Sequence, residues 1–205
     1  MLTATFQELG NVALKFLPLH QKTLKPSNME FSYYYTMEYL PTRYHADEHE
    51  WNNRKAVWNF KDGSCSQAVL NRLAEFIRKE CLMNPYDCVI CFIPASTSKK
   101  TVIRYSSVAR QLSAKTGVSA SLSAISRRMD GEAGHLCGKT GNPTKDFDFD
   151  SRVFRGKKVI LIDDVITRGR TFVQTADKLM ANGASSVVGL FVAKTVNPDW
   201  NTCEA

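Results

Sequence analysis

The chain has 205 residues, 43% of them hydrophobic and 23% charged, a composition ordinary for a globular protein and long enough to bury a full core without staples. Its 27 Lys and Arg against 20 Asp and Glu leave a net charge of +7, which suits a polyanionic ligand: nucleic acid, a nucleotide or a phosphorylated sugar. No N-terminal apolar run reaches the roughly 18 residues that a membrane span needs, and "VALKFLPL" is broken by Lys15 and Pro18 without a signal-cleavage pattern.

In chain order, residues 1–60 carry weak signals. "FSYYYTMEYLPTRYHADEHEWNN" is aromatic and charged, and its alternation from Phe31 to Tyr39 predicts a strand or hairpin. Packing is the expected role of Tyr33, Tyr34 and Tyr35, with base stacking as the other reading. From Ser64 the pattern sharpens. Val69, Leu70, Leu73, Phe76, Ile77 and Cys81 recur with the helical period, and Asn84-Pro85 ends the run. "CVICFI" (88–93) is continuously apolar, as in a central parallel strand. Cys88 and Cys91 have a C-x-x-C spacing, but no second pair completes a zinc site. They read as strand residues pointing to opposite faces. The cysteine usage predicts a reduced, cytoplasmic protein.

After Pro94, "ASTSKKT" reads as a polar loop, then a helix over 106–116 stopped by Gly117. "VSASLSAI" (118–125) alternates as a second strand. Residues 126–156 are rich in glycine and charge and predict a long mobile loop that carries a hairpin, with "DFDFDS" as an exposed strand edge. "KKVILI" is the third clear strand, "RTFVQTADKLMANGA" an amphipathic helix, and "SSVVGLFVAKTV" a fourth strand. The order predicts an α/β fold with a mostly parallel central sheet flanked by helices and a variable N-terminal elaboration. Residues 1–60 would form that elaboration, and residues 61–205 the main domain.

The informative stretch is "VILIDDVITRGRT", residues 159–171. Ligands of open parallel sheets sit at the carboxyl ends of strands, and Asp163 and Asp164 stand at such an end. Adjacent strand residues point to opposite faces, so both acids are not expected to enter one core. Two carboxylates there can accept hydrogen bonds from a sugar diol or attract a hydrated divalent cation. Thr167, Arg168, Gly169, Arg170 and Thr171 then lead into a helix N-terminus, an anion cradle with close backbone approach at Gly169. The plainer reading is a strand-end turn with an Asp cap; the ordered string favours a ribose 5-phosphate. A second basic tract holds Lys99, Lys100, Arg104, Arg110, Lys115, Arg127 and Arg128, with no acid between Cys88 and Met129. Arg110 and Lys115 fit a solvated helix face.

The 159–171 string resembles the signature of the type I phosphoribosyltransferases, which bind 5-phosphoribosyl 1-pyrophosphate (PRPP). The resemblance is closest to the ComF-like, amidophosphoribosyltransferase-like branch. Its further marks are Lys61 and Gly63 in "NFKDGS", "CFIP", the Arg104-Tyr105 pair, and Arg127 or Arg128, spanning roughly residues 55 to 195. Many members of that branch carry a four-cysteine zinc ribbon, and residues 1–60 contain no cysteine.

The resemblance implies a phosphoribosyltransferase, a glycosyltransferase of nucleotide metabolism acting on PRPP and a nitrogen acceptor. Asp163 and Asp164 would be the catalytic pair, holding the ribose hydroxyls and, directly or through water, the Mg2+ cofactor. Thr167, Arg168, Gly169, Arg170 and Thr171 would bind the 5-phosphate. Ala95, Ser96, Thr97, Ser98 and Lys99 would bind pyrophosphate. His135 or Lys139, in a glycine-rich lid, would assist the leaving group, and residues 1–60 would form the acceptor hood. The alternative on the same scaffold is a non-catalytic PRPP or nucleotide sensor, or a DNA-processing accessory protein. Nucleic acid is the less favoured partner, no membrane partner is expected, and a homodimer stays open.

Overall fold

A computed structural model describes residues 20–24, 30–128 and 142–198. Strands β1 (His20–Leu24), β2 (Phe31–Tyr39), β3 (Cys88–Phe92), β4 (Ser119–Ser121), β7 (Lys158–Ile166) and β8 (Ser186–Thr195) form one six-stranded sheet in the order β1-β2-β8-β7-β3-β4. All pairings are parallel except β1 with β2. The expected α/β fold with a mostly parallel central sheet is therefore present. Strands β5 (Ile125–Arg127) and β6 (Phe147–Phe149) pair antiparallel as a separate two-stranded sheet. Helices α1 (Glu48–Lys61), α2 (Gln67–Glu80), α3 (Ser98–Thr116), α4 (Ser151–Phe154) and α5 (Arg170–Ala181) complete the chain, with a 3-10 turn at Pro85–Asp87.

The central strands are buried on both faces, which is why they read as continuous apolar runs. On β3, Cys88, Ile90 and Phe92 face a core shared with α1, α2 and α3, while Val89 and Cys91 face a second core closed by α4 and α5. Cys88 and Cys91 thus point to opposite faces, as their spacing predicts. Tyr33 is buried against Phe172 and Phe191, and Tyr35 is buried beside Tyr33, so they pack.

Two sequence expectations differ from the structure, and one helix, α1, carried no readable period. The segment 118–125 is not one strand: the Ser121 hydroxyl accepts the Ala124 amide at 3.1 Å, and this serine turn sends β5 into the other sheet. The polar loop after Pro94 is short, because Thr97 caps α3 by accepting the Lys100 amide at 3.1 Å, so the helix begins at Ser98 rather than Ser106. Helix α1 has weak amphipathy because it buries Asn52, Asn53 and Arg54. Arg54 ties the preceding loop to the helix through the carbonyls of Leu40, Pro41 and Tyr44. The reciprocal capping box of Asp47 and Glu50 marks its start.

Candidate active site

Helix α3 leaves β3 on one face of the sheet, and α5 leaves β7 on the other. β3 and β7 are neighbours, and the Ile93 amide extends their ladder to the Ile162 carbonyl at 3.0 Å. Their onward connections then diverge, β3 toward β4 and β7 toward β8. Such divergence opens a crevice at the carboxyl ends of the two strands. The acid pair, the 167–171 turn and the 95–99 segment all emerge there.

β7 runs through the acids to Ile166, and its alternation reverses across them. Ile160 and Ile162 face the α3 side, and Val159 and Leu161 the α5 side. Beyond the acids, Val165 packs on the α3 side and Ile166 on the α5 side. The neighbouring strands reverse at the same level. Tyr34 and Met37 of β2 share the α3 side, as do Val192 and Ala193 of β8. The register pairs Tyr35, Phe191 and Asp163 on one level and Met37, Ala193 and Val165 on another, leaving Thr36, Val192 and Asp164 between them.

Local side-chain bonds account for this reversal. Asp163 Oδ1 accepts the Asp164 amide at 2.8 Å, and Asp164 Oδ1 accepts the Val165 amide at 2.6 Å. On β2, the buried Thr36 hydroxyl donates to the Val192 carbonyl at 2.6 Å. Side-chain oxygens thus take up groups that a regular ladder would pair. The expectation that adjacent acids diverge is corrected: both carboxylates meet α3. Tyr105 Oη donates to Asp163 Oδ1 at 2.9 Å, and Arg104 Nη1 lies 2.6 Å from Asp164 Oδ2 and 3.9 Å from Asp163 Oδ1.

Burial, and next the charge of Asp164, raises the Asp163 carboxyl to about 7 against the bonds from the Asp164 amide and Tyr105 and the charge of Arg104. Burial first, then both acids, hold the Tyr105 phenol protonated far above its ordinary range, so it remains a donor. Tyr105 is locked by stacking on Phe92 at 4.7 Å and by an edge contact with Phe60.

The 5-phosphate candidates lie one turn away. Gly169, at φ +71°, is the N-cap of α5, and among the described residues no side chain caps that helix. Its first turn carries no acid, so the amide end of α5 keeps its full preference for an anion. Thr167, Arg168 and Arg170 are exposed, and Thr171 is half-buried. The Thr167 and Thr195 hydroxyls are 2.8 Å apart, tying the turn to the end of β8. A Cβ on Gly169 would lie 2.2 Å from Leu24 Cδ1, so β1 rests against this turn.

In the 95–99 segment, Ala95 is buried and committed: its amide donates to Thr101 Oγ1 at 3.0 Å and its carbonyl accepts Arg127 Nε at 2.7 Å. Ala95 anchors the segment, while Ser96, Ser98 and Lys99 are exposed and Thr97 is the helix cap. Lys99 and Lys100 sit in the first turn of α3 with no acid beside them, a placement that disfavours the helix and favours a bound anion. Arg110 and Lys115 are exposed, as expected of a solvated face. His135 and Lys139 lie outside the described residues.

Sequence reading left three participants without a role: Tyr105 as the donor to Asp163, Arg104 as the partner of the acids, and Arg127 as the brace of the 95–99 segment. The Arg104-Tyr105 pair was visible as a motif, but only the packing of α3 over β7 reveals which acids it meets.

Among the described residues, no cluster of three or more His, Cys, Asp and Glu is arranged for a metal. Mg2+ needs only one or two carboxylates when ligand oxygens and waters complete its shell. The pair fits that mode: Asp163 Oδ2 accepts no hydrogen bond from the described residues, and Asp164 Oδ2 meets only a movable guanidinium. Among the described residues, no helix is long and apolar enough to cross a membrane.

No protein-family model matches the chain, and no curated protein matches it. Solved structures with a similar fold include a hypoxanthine-guanine phosphoribosyltransferase from Bacillus anthracis, at 16% identity over 70% of each chain with a TM-score of 0.42. An adenine phosphoribosyltransferase is 14% identical over 86% of this chain and 84% of its own, with a TM-score of 0.42. A hypoxanthine phosphoribosyltransferase from Staphylococcus aureus is 12% identical over 69% of this chain and 76% of its own, with a TM-score of 0.41.

Proposed function

We propose that the chain is a PRPP-binding phosphoribosyltransferase of the ComF-like kind, transferring the 5-phosphoribosyl group to a nitrogen acceptor with release of pyrophosphate. One observation carries the reading: two neighbouring carboxylates turn to the same side of β7, five residues before the N-cap of α5, a helix end that no side chain of the described residues caps. A diol grip followed by an anion cradle matches ribose 5-phosphate.

The acceptor nitrogen attacks C1 of the ribose as the C1–oxygen bond to pyrophosphate breaks, and the bonding pair leaves with pyrophosphate. The transition state carries oxocarbenium character, so positioning and charge stabilisation are the protein's contributions. Asp163 and Asp164 orient the 2- and 3-hydroxyls of the ribose. Tyr105, fixed in the core, holds Asp163 in place. The 167–171 turn receives the 5-phosphate, with Thr167 and Thr171 as hydroxyl donors and Arg168 and Arg170 as added charge. Ser96, Thr97, Ser98 and Lys99 receive the pyrophosphate, on the backbone that Ala95 and Arg127 brace. Asp163 and Asp164 would hold Mg2+, which would supply positive charge to offset the departing pyrophosphate.

Calorimetry with PRPP and Mg2+ tests the assignment. The wild type should bind with a clear heat, and an Asp163→Asn, Asp164→Asn double variant should lose it. Equal heats from the two folded proteins would defeat the site. Pyrophosphate release with a panel of bases, ammonia and glutamine separates an enzyme from a sensor.

A further inference from the structure

Arg104 stands where a carboxylate pair would otherwise hold a cation. Among the described residues it is the only cation within 4 Å of the acids, with one nitrogen reaching oxygens of both. Its own hydrogen-bonding is incomplete: Nε is shut off from solvent and has no partner among the described residues. A buried donor left unpaired forfeits its lost hydration without compensation. The guanidinium is therefore held by the charge of the acids in a pose that leaves one donor wanting an acceptor.

Arg104 occupies the second turn of α3, whose first turn bears Lys99 and Lys100. A guanidinium pairs with carboxylate and phosphate oxygens through the same planar fork. Two carboxylates cannot serve a divalent ion and a guanidinium at once without like-charge repulsion at contact range. An oxyanion arriving beside the α3 N-terminus would give the guanidinium a new acceptor and its orphaned Nε–H a partner.

We propose that Arg104 is a built-in counter-ion that occupies the divalent-cation position between Asp163 and Asp164, and yields it when a pyrophosphate-type anion arrives to receive the guanidinium. This rests on reading the acid pair as the cation and ribose site. Bare cation then binds weakly, because it must displace Arg104 without compensation, and cation and anion bind cooperatively.

The test is titration of the full chain with Mn2+ alone, followed by electron paramagnetic resonance, for the wild type, Arg104→Met and Arg104→Gln. Circular dichroism reports folding, and the two neutral replacements guard against one failing to fold. Removing the competing charge should tighten bare Mn2+ binding by about tenfold, within the usual range of site coupling. Inorganic pyrophosphate should enhance Mn2+ binding to the wild type by about the same factor, and much less to the variants. Unchanged or weaker Mn2+ affinity in a folded variant overturns the proposal, as would the loss of stability alone that a purely structural arginine would show. PRPP calorimetry on the wild type keeps the two readings apart. If PRPP fails to bind while the variants still gain Mn2+ affinity, the functional reading falls and the counter-ion stands. If PRPP binds and the variants gain no Mn2+ affinity, the counter-ion falls and the functional reading stands.

Discussion

Tyr105 and Asp163 are joined at 2.9 Å across the packing of α3 on β7, with the phenol ring fully buried and the carboxylate about one-fifth exposed. The acid therefore stands at the rim of the core, its Oδ1 fixed by a rigid donor while its Oδ2 accepts no hydrogen bond from the described residues. Tyr105→Phe keeps the ring stacked on Phe92 and removes only the hydroxyl. A hydrogen bond to a charged group contributes about 1.5–3 kcal/mol, so urea unfolding should show a loss of that order. PRPP affinity should fall as well, because Asp163 loses its fixed rotamer. Unchanged affinity in the folded variant would remove Tyr105 from the site's support.

The acid pair gives stability a pH dependence of defined sign. Asp163 is raised from 3.8 to about 7, burial being the largest cause and Asp164 the next. Between those values the unfolded chain binds fewer protons than the native one, so native stability falls as pH rises. The penalty is absent below about pH 4 and complete above about pH 7. Asp163→Asn lacks that slope. In metal-free buffer it should exceed the wild type at pH 8 by a few kcal/mol, with the gap shrinking toward pH 4. Urea midpoints across that range check it; a gap that grows toward acid would reverse the sign.

Gly169 and Gly156 have nearly the same left-handed φ, +71° and +73°, but differ in surroundings. A Cβ at Gly156 meets none of the described residues within 4 Å, whereas at Gly169 it strikes Leu24. Both alanine variants should lose about 1 kcal/mol from backbone strain. Only Gly169→Ala should also weaken binding of PRPP, because the added methyl stands at the turn assigned to the 5-phosphate. Calorimetry and thermal unfolding on both variants separate the shared strain from the local effect.

Thr36→Val tests the line where the pleat reverses. The swap nearly preserves shape while leaving the Val192 carbonyl without its donor, at a cost of about 1–3 kcal/mol. β8 lies between Thr36 and the acids, so the disturbance should reach Asp164. Amide exchange at Asp164 and Val165 should quicken more than at Ile160. Uniform acceleration along β7 would mean that the reversal is set by the acids alone.

The apolar runs of β3, β7 and β8 and the amphipathic stripes of α2 and α5 were legible because each is a local period written in consecutive residues. So was the acid-turn string of β7, whose parts lie within thirteen residues. The start of α1 was also written in the chain, since Asp47 and Glu50 bear a capping-box spacing; it was hidden by buried Asn and Arg residues that blur the apolar stripe. Tertiary structure alone decided which way the acids face. A period-2 rule sends neighbours to opposite sides, and here bonds between side chains and backbone, repeated on adjacent strands, override it. The partnership of Arg104 with Asp164, 60 positions along the chain, likewise exists only once α3 packs on the sheet. Local order follows from the covalent sequence of side chains, whereas the pairing of charges follows from which surfaces the folded sheet brings into contact.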